Sequence, residues 1–352
     1  MMHRDKKALA LLCLAALCLT LLTGCGSKKA KNALFLDYFD TVIEVSAWDM
    51  DEARFQEFRT LSEQCFQEYH RLFDRYHTYD GLSNLKTVND QAGAGPVQVP
   101  QPLFDLIEQG LASVQETGGA LNIALGPVLD LWSAAREAGL AQPESASLPD
   151  RDALEQAALL CRTDWVELNP AQATVFLKEP GMILDLGALA KGYAVELTTN
   201  RLKEAGFTDF LINAGGNVRT CGSPARGNQQ WNLGLQSPRK GDSSLYLTVT
   251  AGETSMVTSG SYQRYYTVDG TDYGHIIDPA TLLPGDRYLS VTALHPDSGV
   301  ADMLSTSLFL MEYDAGAALA AQYGAEVLWI LPDGELRCTN SLRDRITVLD
   351  QE

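Results

Sequence analysis

The chain is expected to fold as an α+β protein, with antiparallel or mixed sheets and flanking helices. Three observations support this. Helical periodicity dominates the first half, and short strands dominate the second. Turn signals such as Asp269-Gly270 and Asp333-Gly334 separate strands that follow one another directly. Regular β-α alternation is missing, as is any internal repeat of roughly 20–50 residues.

Taken in order, residues Leu34 to Trp48 alternate and carry β-branched and aromatic side chains, which predicts a strand. Asp49 to Tyr76 has helical spacing, with Phe55, Phe58, Leu61, Cys65, Phe66, Tyr69 and Phe73 on one face. His77 to Asn89 reads as a polar loop carrying Tyr79, and Gln91 to Pro102 as a loop or short strand. Pro102 to Glu116 is a helix broken by Gly118-Gly119, and Val128 to Ala138 is another. After the Pro/Ser/Ala-rich connector Gln142 to Pro149, Asp150 to Leu160 is a short helix. Val166–Leu168 and Thr174–Leu177 form a hairpin around Asn169-Pro170.

Met182 to Asp185 reads as a strand feeding a helix from Leu189 to Ala205. Phe210 to Asn213 is a strand ending in Gly215-Gly216. Strands follow at Trp231–Gln236, Leu245–Thr250 and Ser255–Ser259, then at Leu289–Leu294. Gly299–Met311 and Ala315–Tyr323 are helices, Glu326–Leu331 is a strand, and an interrupted strand spans Leu336–Leu349.

Composition narrows the function. The 352 residues are 45% hydrophobic, enough for a sizeable core. Basic residues number 27 and acidic ones 45. Removing residues 1–24 takes away Arg4, Lys6, Lys7 and Asp5, leaving 24 basic against 44 acidic side chains, a net −20. Such a surface repels nucleic acid and anionic headgroups, so no nucleic-acid partner is expected. A phosphate-bearing substrate needs a metal or local donors.

Arg4, Lys6 and Lys7 precede an apolar run from Ala8 to Leu22, short for a membrane span of ~20 residues. Leu22-Thr23-Gly24-Cys25 resembles a lipobox, with lipidation at Cys25; an ordinary signal peptide with an incidental Cys is the alternative. The expected organisation is a signal peptide over 1–24, a lipid-anchored tether over 25–33 and one domain over 34–352. The chain is then exported and anchored to the extracytoplasmic face of a bacterial membrane. Cys65, Cys161, Cys221 and Cys338 are widely spaced, which is compatible with two disulfides or with buried thiols.

Four motifs could carry chemistry. Asp185-Leu186-Gly187-Ala188-Leu189-Ala190-Lys191 runs from a strand end into a helix start, where free N–H groups suit phosphate; Lys191 opposes the helix dipole, consistent with an anion nearby or with an ordinary surface Lys. Its Gly spacing matches neither a P-loop nor a dinucleotide fingerprint. Gly215 and Gly216 permit close backbone approach to a ligand, or only a tight turn. Asp302 and Thr306 are four apart, so a helix puts both oxygens on one face, suited to Mg²⁺; Asp302 as a helix-start residue is the plain alternative. His275, between a strand end and Asp278-Pro279, is a candidate general base or a structural imidazole.

Together, and after a lipobox, these segments resemble the ApbE family of FAD:protein FMN transferases. The resemblance runs from about Asp37 to Thr306 and rests on Asp185 to Ala194, Ala214 to Asn217, Thr258 to Tyr262, His275 to Pro279, and Asp302 with Thr306. It implies transfer of FMN from FAD to a Thr or Ser hydroxyl of an acceptor protein, with AMP leaving and Mg²⁺ required. The implied metal ligands are Asp302, Thr306 and the Ala188 carbonyl. The implied FAD contacts are Phe39, Tyr79, Asn122, Asp185, Lys191, Gly215, Gly216, Ser259, Gly260 and Ile277. His275 resembles the residue that activates the acceptor hydroxyl. The implied acceptor is a flavoprotein subunit of a membrane redox complex with a Ser/Thr-Gly-Ala-Ser/Thr motif. Two departures stand out: Phe39-Asp40-Thr41 replaces Met-Gly-Thr, and Thr281-Leu282 lacks the usual Gly after Thr. A Mg²⁺-dependent FAD pyrophosphatase and a non-enzymatic flavin-binding lipoprotein are the competing readings.

Overall fold

The structure, a computed structural model, describes residues 30–224, 229–262 and 264–349. Cys25 and the apolar leader lie outside these residues. Among the described residues no helix is long and apolar enough to cross a membrane.

The strands are β1 (Lys31–Phe35), β2 (Ile43–Ala47), β3 (Val97–Gln98), β4 (Val166–Asn169), β5 (Thr174–Leu177), β6 (Phe210–Ala214), β7 (Asn217–Cys221) and β8 (Trp231–Gln236). Then come β9 (Leu245–Ala251), β10 (Ser255–Gly260), β11 (Tyr265–Val268), β12 (Thr271–Gly274), β13 (Ser290–His295), β14 (Glu326–Ile330), β15 (Leu336–Cys338) and β16 (Ile346–Val348). The helices are α1 (Glu52–Phe73), α2 (Leu85–Asp90), α3 (Gln101–Glu116), α4 (Gly126–Ala141), α5 (Arg151–Ala158), α6 (Ala190–Glu204), α7 (Ser298–Leu310) and α8 (Tyr313–Gln322).

An eight-stranded sheet in the order β1-β2-β6-β7-β10-β13-β14-β15 is the backbone of the fold. Its pairings are antiparallel throughout, so the expected α+β class holds. Helix α7 packs on β10 and β13, and α6 packs between α7 and α1. The contact of α6 with α7 is close because Gly192 has no side chain: a Cβ there would lie 2.3 Å from the Ser298 carbonyl oxygen. Smaller sheets, β16-β9-β8 and β3-β5-β4, flank this centre, and β11-β12 is a hairpin turning at Asp269-Gly270 as expected.

Several expectations are corrected. Leu34 to Trp48 is two strands, not one: Phe35 pairs with Ile43, and Phe39 and Asp40 between them have φ of 55° and 49°, which no strand can carry. Strand β1 begins at Lys31, so Lys31, Asn32 and Ala33 belong to the fold rather than to a tether. The loop after α1 contains α2, started by an Asn84–Thr87 capping box. Met182 to Asp185 is extended but joins no ladder. The Asn89 amide bonds both the N–H and the carbonyl of Leu184, while the Asp185 N–H donates to the Ile123 carbonyl. Asn217 to Cys221 is a strand that pairs β6 to β10. The C-terminal strand is split, with β15 in the large sheet and β16 against β9. Cys65, Cys161, Cys221 and Cys338 are all free thiols.

Candidate active site

A cavity of about 2280 Å³ opens where the 36–42 loop, α4, the start of α6, β10, the β12–β13 connection and α7 meet. Twelve of the expected residues line it: Asn122, Asp185, Ala188, Lys191, Gly215, Gly216, Ser259, Gly260, His275, Ile277, Asp302 and Thr306. They come from segments up to 184 positions apart, counted from Asn122 to Thr306. Helices and strand ends, not local chain, bring them together.

Asp302 is 3% exposed, on the inward face of α7. Its Oδ2 accepts a 2.8 Å hydrogen bond from the Gly192 N–H, and the Asn217 amide donates to the same carboxylate. Burial pushes its pKa up, and the nearby Lys191 ammonium opposes that shift. The Asn217 Oδ1, also buried, has no partner. One turn further on, the Thr306 hydroxyl lies 3.1 Å from Ser259 Oγ, which is also 2.8 Å from Ser305 Oγ. Among the described residues no three His, Cys, Asp or Glu side chains cluster. The side-chain oxygens near Asp302 are therefore one carboxylate, the Thr306 hydroxyl and an unpartnered amide oxygen, and Ala188 lines the same cavity. Such hard, mostly neutral oxygens fit a Mg²⁺ that keeps part of its water and borrows substrate phosphates.

His275 lines the same cavity from the connection between β12 and β13. Its Nδ1 lies 3.2 Å from the Arg264 carbonyl oxygen, so Nδ1 carries the proton and Nε2 is left free to accept one. The surrounding protein, then the cations Arg264, Lys191 and Arg136, push its pKa down to about 4. Part of the ring is exposed to the cavity, which weakens the first cause; the three cations sustain the direction. The imidazole is neutral at pH 7 and suited to act as a base.

Asp185 is held from both sides. Its Oδ1 accepts from the Gly187 N–H at 2.8 Å, and its Oδ2 from Arg75 at 2.8 Å. Arg75 also pairs with Asp130 and stacks on the Tyr76 ring. The Asn122 amide is bonded to the Cys161 carbonyl and the Ala124 N–H, fixing the loop before α4. A Cβ on Gly215 would meet Thr41 Oγ1 at 2.1 Å, so the close approach here is within the chain. Gly216 has φ of 93° and open space around its Cα, facing the cavity.

Two expected flavin contacts are displaced. Phe39 does not line the cavity; its ring packs edge-on against His70, and its N–H donates to His70 Nδ1 at 3.2 Å. Tyr79 points away too: its hydroxyl donates to Asp74 at 2.8 Å and Arg71 covers its ring. Tyr76, three residues earlier and 59% exposed, takes the position on the cavity wall. Arg75, Arg136, Asn217, Arg264 and Ser305 are site residues that sequence reasoning did not single out. Asn217 had a signal, as the residue closing the Gly-Gly motif; isolated arginines have none.

The sequence matches the ApbE family over residues 39–329. A FAD:protein FMN transferase of Treponema pallidum is 36% identical over 282 residues, covering 76% of each chain. One from Klebsiella pneumoniae is 33% identical, covering 82% of this chain and 88% of that protein. The crystal structure of the ApbE protein from Thermotoga maritima superposes with a TM-score of 0.77 at 25% identity, covering 90% of this chain and 99% of that one. Fold, cavity and sequence agree: this chain belongs to the ApbE family.

Proposed function

We propose that the chain transfers FMN from FAD to a Ser or Thr hydroxyl of an acceptor protein, releasing AMP. The observation that carries this reading is the meeting of a neutral His275, Lys191 and the Asp302–Thr306 pair in one cavity. The curated relatives named FAD:protein FMN transferase support it.

Phosphoryl transfer needs charge neutralisation and in-line placement more than covalent help. Asp302, Thr306 and the Ala188 carbonyl would hold Mg²⁺, which when bound neutralises diphosphate charge. Lys191 offers a cation in the first turn of α6, on the cavity wall. His275 Nε2 accepts the proton of the acceptor hydroxyl, while the Arg264 carbonyl keeps the ring oriented through Nδ1. Asp185, locked by Arg75, gives the flavin end of the site a fixed acceptor.

The acceptor is a separate flavoprotein subunit with a Ser/Thr-Gly-Ala-Ser/Thr motif, on the same membrane face to which Cys25 anchors this chain. Exposure of the His275 ring to the cavity favours one second reading, hydrolysis of FAD to FMN and AMP when no acceptor is present. Incubating the purified protein with FAD, Mg²⁺ and acceptor peptides carrying that motif tests the function. The expected product is a fluorescent covalent adduct that EDTA suppresses. AMP release without any adduct would make the chain a pyrophosphatase, and retained FAD without turnover would make it a carrier.

A further inference from the structure

Helix α4 turns one stripe toward the cavity: Leu125 at its N-cap, then Leu129, Ser133 and Arg136. The stripe ends in a guanidinium. Arg136 is half-buried, and among the described residues it has no hydrogen-bond or ion-pair partner. Other inward-reaching arginines are compensated: Arg75 by Asp130 and Asp185, Arg219 by Glu196 and Glu253. Arg264 enters from the loop between β10 and β11. Its guanidinium, on an exposed residue, donates to the Asp40 carbonyl at 2.9 Å, a neutral acceptor, and forms no ion pair among the described residues.

Arg136, Arg264 and Lys191 line the same cavity as His275, and all three cations are close enough to act on its imidazole. Among the described residues no carboxylate forms an ion pair with Arg136 or Arg264, although Asp40 and Asp185 line the same cavity. Like charges brought together repel unless an anion joins them. The cavity is thus polarised. Asp302 and Thr306 form an oxygen-rich end, Arg136 and Arg264 a guanidinium end, and Lys191 acts on both Asp302 and His275.

We propose that Arg136 and Arg264 form a guanidinium cradle for the flavin-side phosphate of FAD, the phosphoryl group that moves. The proposal rests on the FMN-transfer reading. In that reaction the acceptor Oγ forms a bond to the flavin-side phosphorus and its proton goes to His275 Nε2. The bond from that phosphorus to the bridging oxygen breaks, and the electron pair leaves with AMP. The phosphate beside the base is therefore the transferred one, and the cations around the base face its oxygens. Two planar guanidinium groups suit two non-bridging oxygens better than a point charge does.

The test separates phosphate recognition from flavin recognition. Affinities for FMN and riboflavin, which differ by the phosphate alone, are measured by flavin fluorescence on the full domain and on R136Q, R136K and R264Q. R264Q leaves the carbonyl that orients His275 in place. The cradle predicts that R136Q and R264Q each weaken FMN by about tenfold or more, with riboflavin affinity unchanged and R136K intermediate. At saturating FAD, single-turnover transfer by R136Q falls by about 10²-fold or more. FMN and riboflavin weakening together would make Arg136 a structural residue and overturn the proposal, as would no change in either. Wild-type protein that discriminates FMN from riboflavin yet labels no acceptor would remove the transfer reading and leave the phosphate cradle standing.

Discussion

The Gly192 N–H donates to Asp302 Oδ2 at 2.8 Å, and a Cβ on Gly192 would lie only 2.5 Å from Asp302 Cβ. One backbone position therefore both aims the carboxylate and sets how closely α6 and α7 approach. Gly192→Ala is expected to push α7 away, costing about 1–3 kcal/mol of stability. It should lower transfer far more than that loss explains, because Asp302 moves with the helix. Urea unfolding beside a transfer assay checks this; an active variant of normal stability would show that the two helices can separate without disturbing the site.

His275→Ala should lower transfer by about 10²–10⁴-fold while FAD still binds. The pH profile gives a second check. With a pKa of about 4 in the free protein, His275 is neutral above that value and gains a proton below it. As a base it works only when neutral. The acid limb of kcat/KM, which reports the free enzyme, should therefore fall below the usual imidazole range, toward about 4. Bound diphosphate answers the three cations and should move the kcat limb to higher pH. An acid limb of kcat/KM near pH 6.5 in wild type would mean that the cations do not reach the ring.

Asp302 has the opposite logic. It is a carboxylate buried where its charged form is disfavoured. Asp302→Asn keeps an oxygen for the Gly192 N–H and removes the charge. Without added metal, the variant is expected to unfold at the same or a higher temperature than wild type. Transfer should drop by about 10²-fold or more, the magnitude typical of losing one preorganised electrostatic group. A marked fall in thermal stability would instead assign Asp302 to the fold.

What could be read from the sequence follows a physical divide. Lys191, His275, Asp302 and Thr306 were legible because each sits at a strand end or on one helix face, where spacing alone determines direction. Position 282 was legible as an oddity but not as a geometry: Leu282 has φ of 62°, a conformation suited to Gly, held by burial and by Trp132 Nε1 donating to its carbonyl at 2.9 Å. Asp40 does the same at φ 49° where Gly is usual. Met182 to Asp185 has a strand's composition, yet its bonding partner is the side chain of Asn89, which no periodicity reveals. Arg75 and Asp185 meet across 110 residues, and no pattern in either segment announces the other.

In the loop after α1 the tyrosine on the cavity wall is Tyr76 and not Tyr79, the sharpest contrast between neighbours. No regular period runs through Arg75 to Asn84, so sequence offers no way to tell which tyrosine faces inward. The structure separates them by bonding: Tyr79 spends its hydroxyl on Asp74 and its ring face on Arg71, while Tyr76 lies against Arg75 and borders the cavity. Tyr79→Phe removes a hydrogen bond to a carboxylate that also receives His77 and the Tyr76 N–H. It should cost about 1–3 kcal/mol of stability and leave FAD affinity unchanged. Tyr76→Ala removes an exposed ring from the cavity wall, so stability should change little while FAD affinity falls by about tenfold, the order expected for one lost aromatic stacking partner. Fluorescence titration with FAD and thermal unfolding of the two variants decide it, and a reversal of the two effects would return the flavin contact to Tyr79.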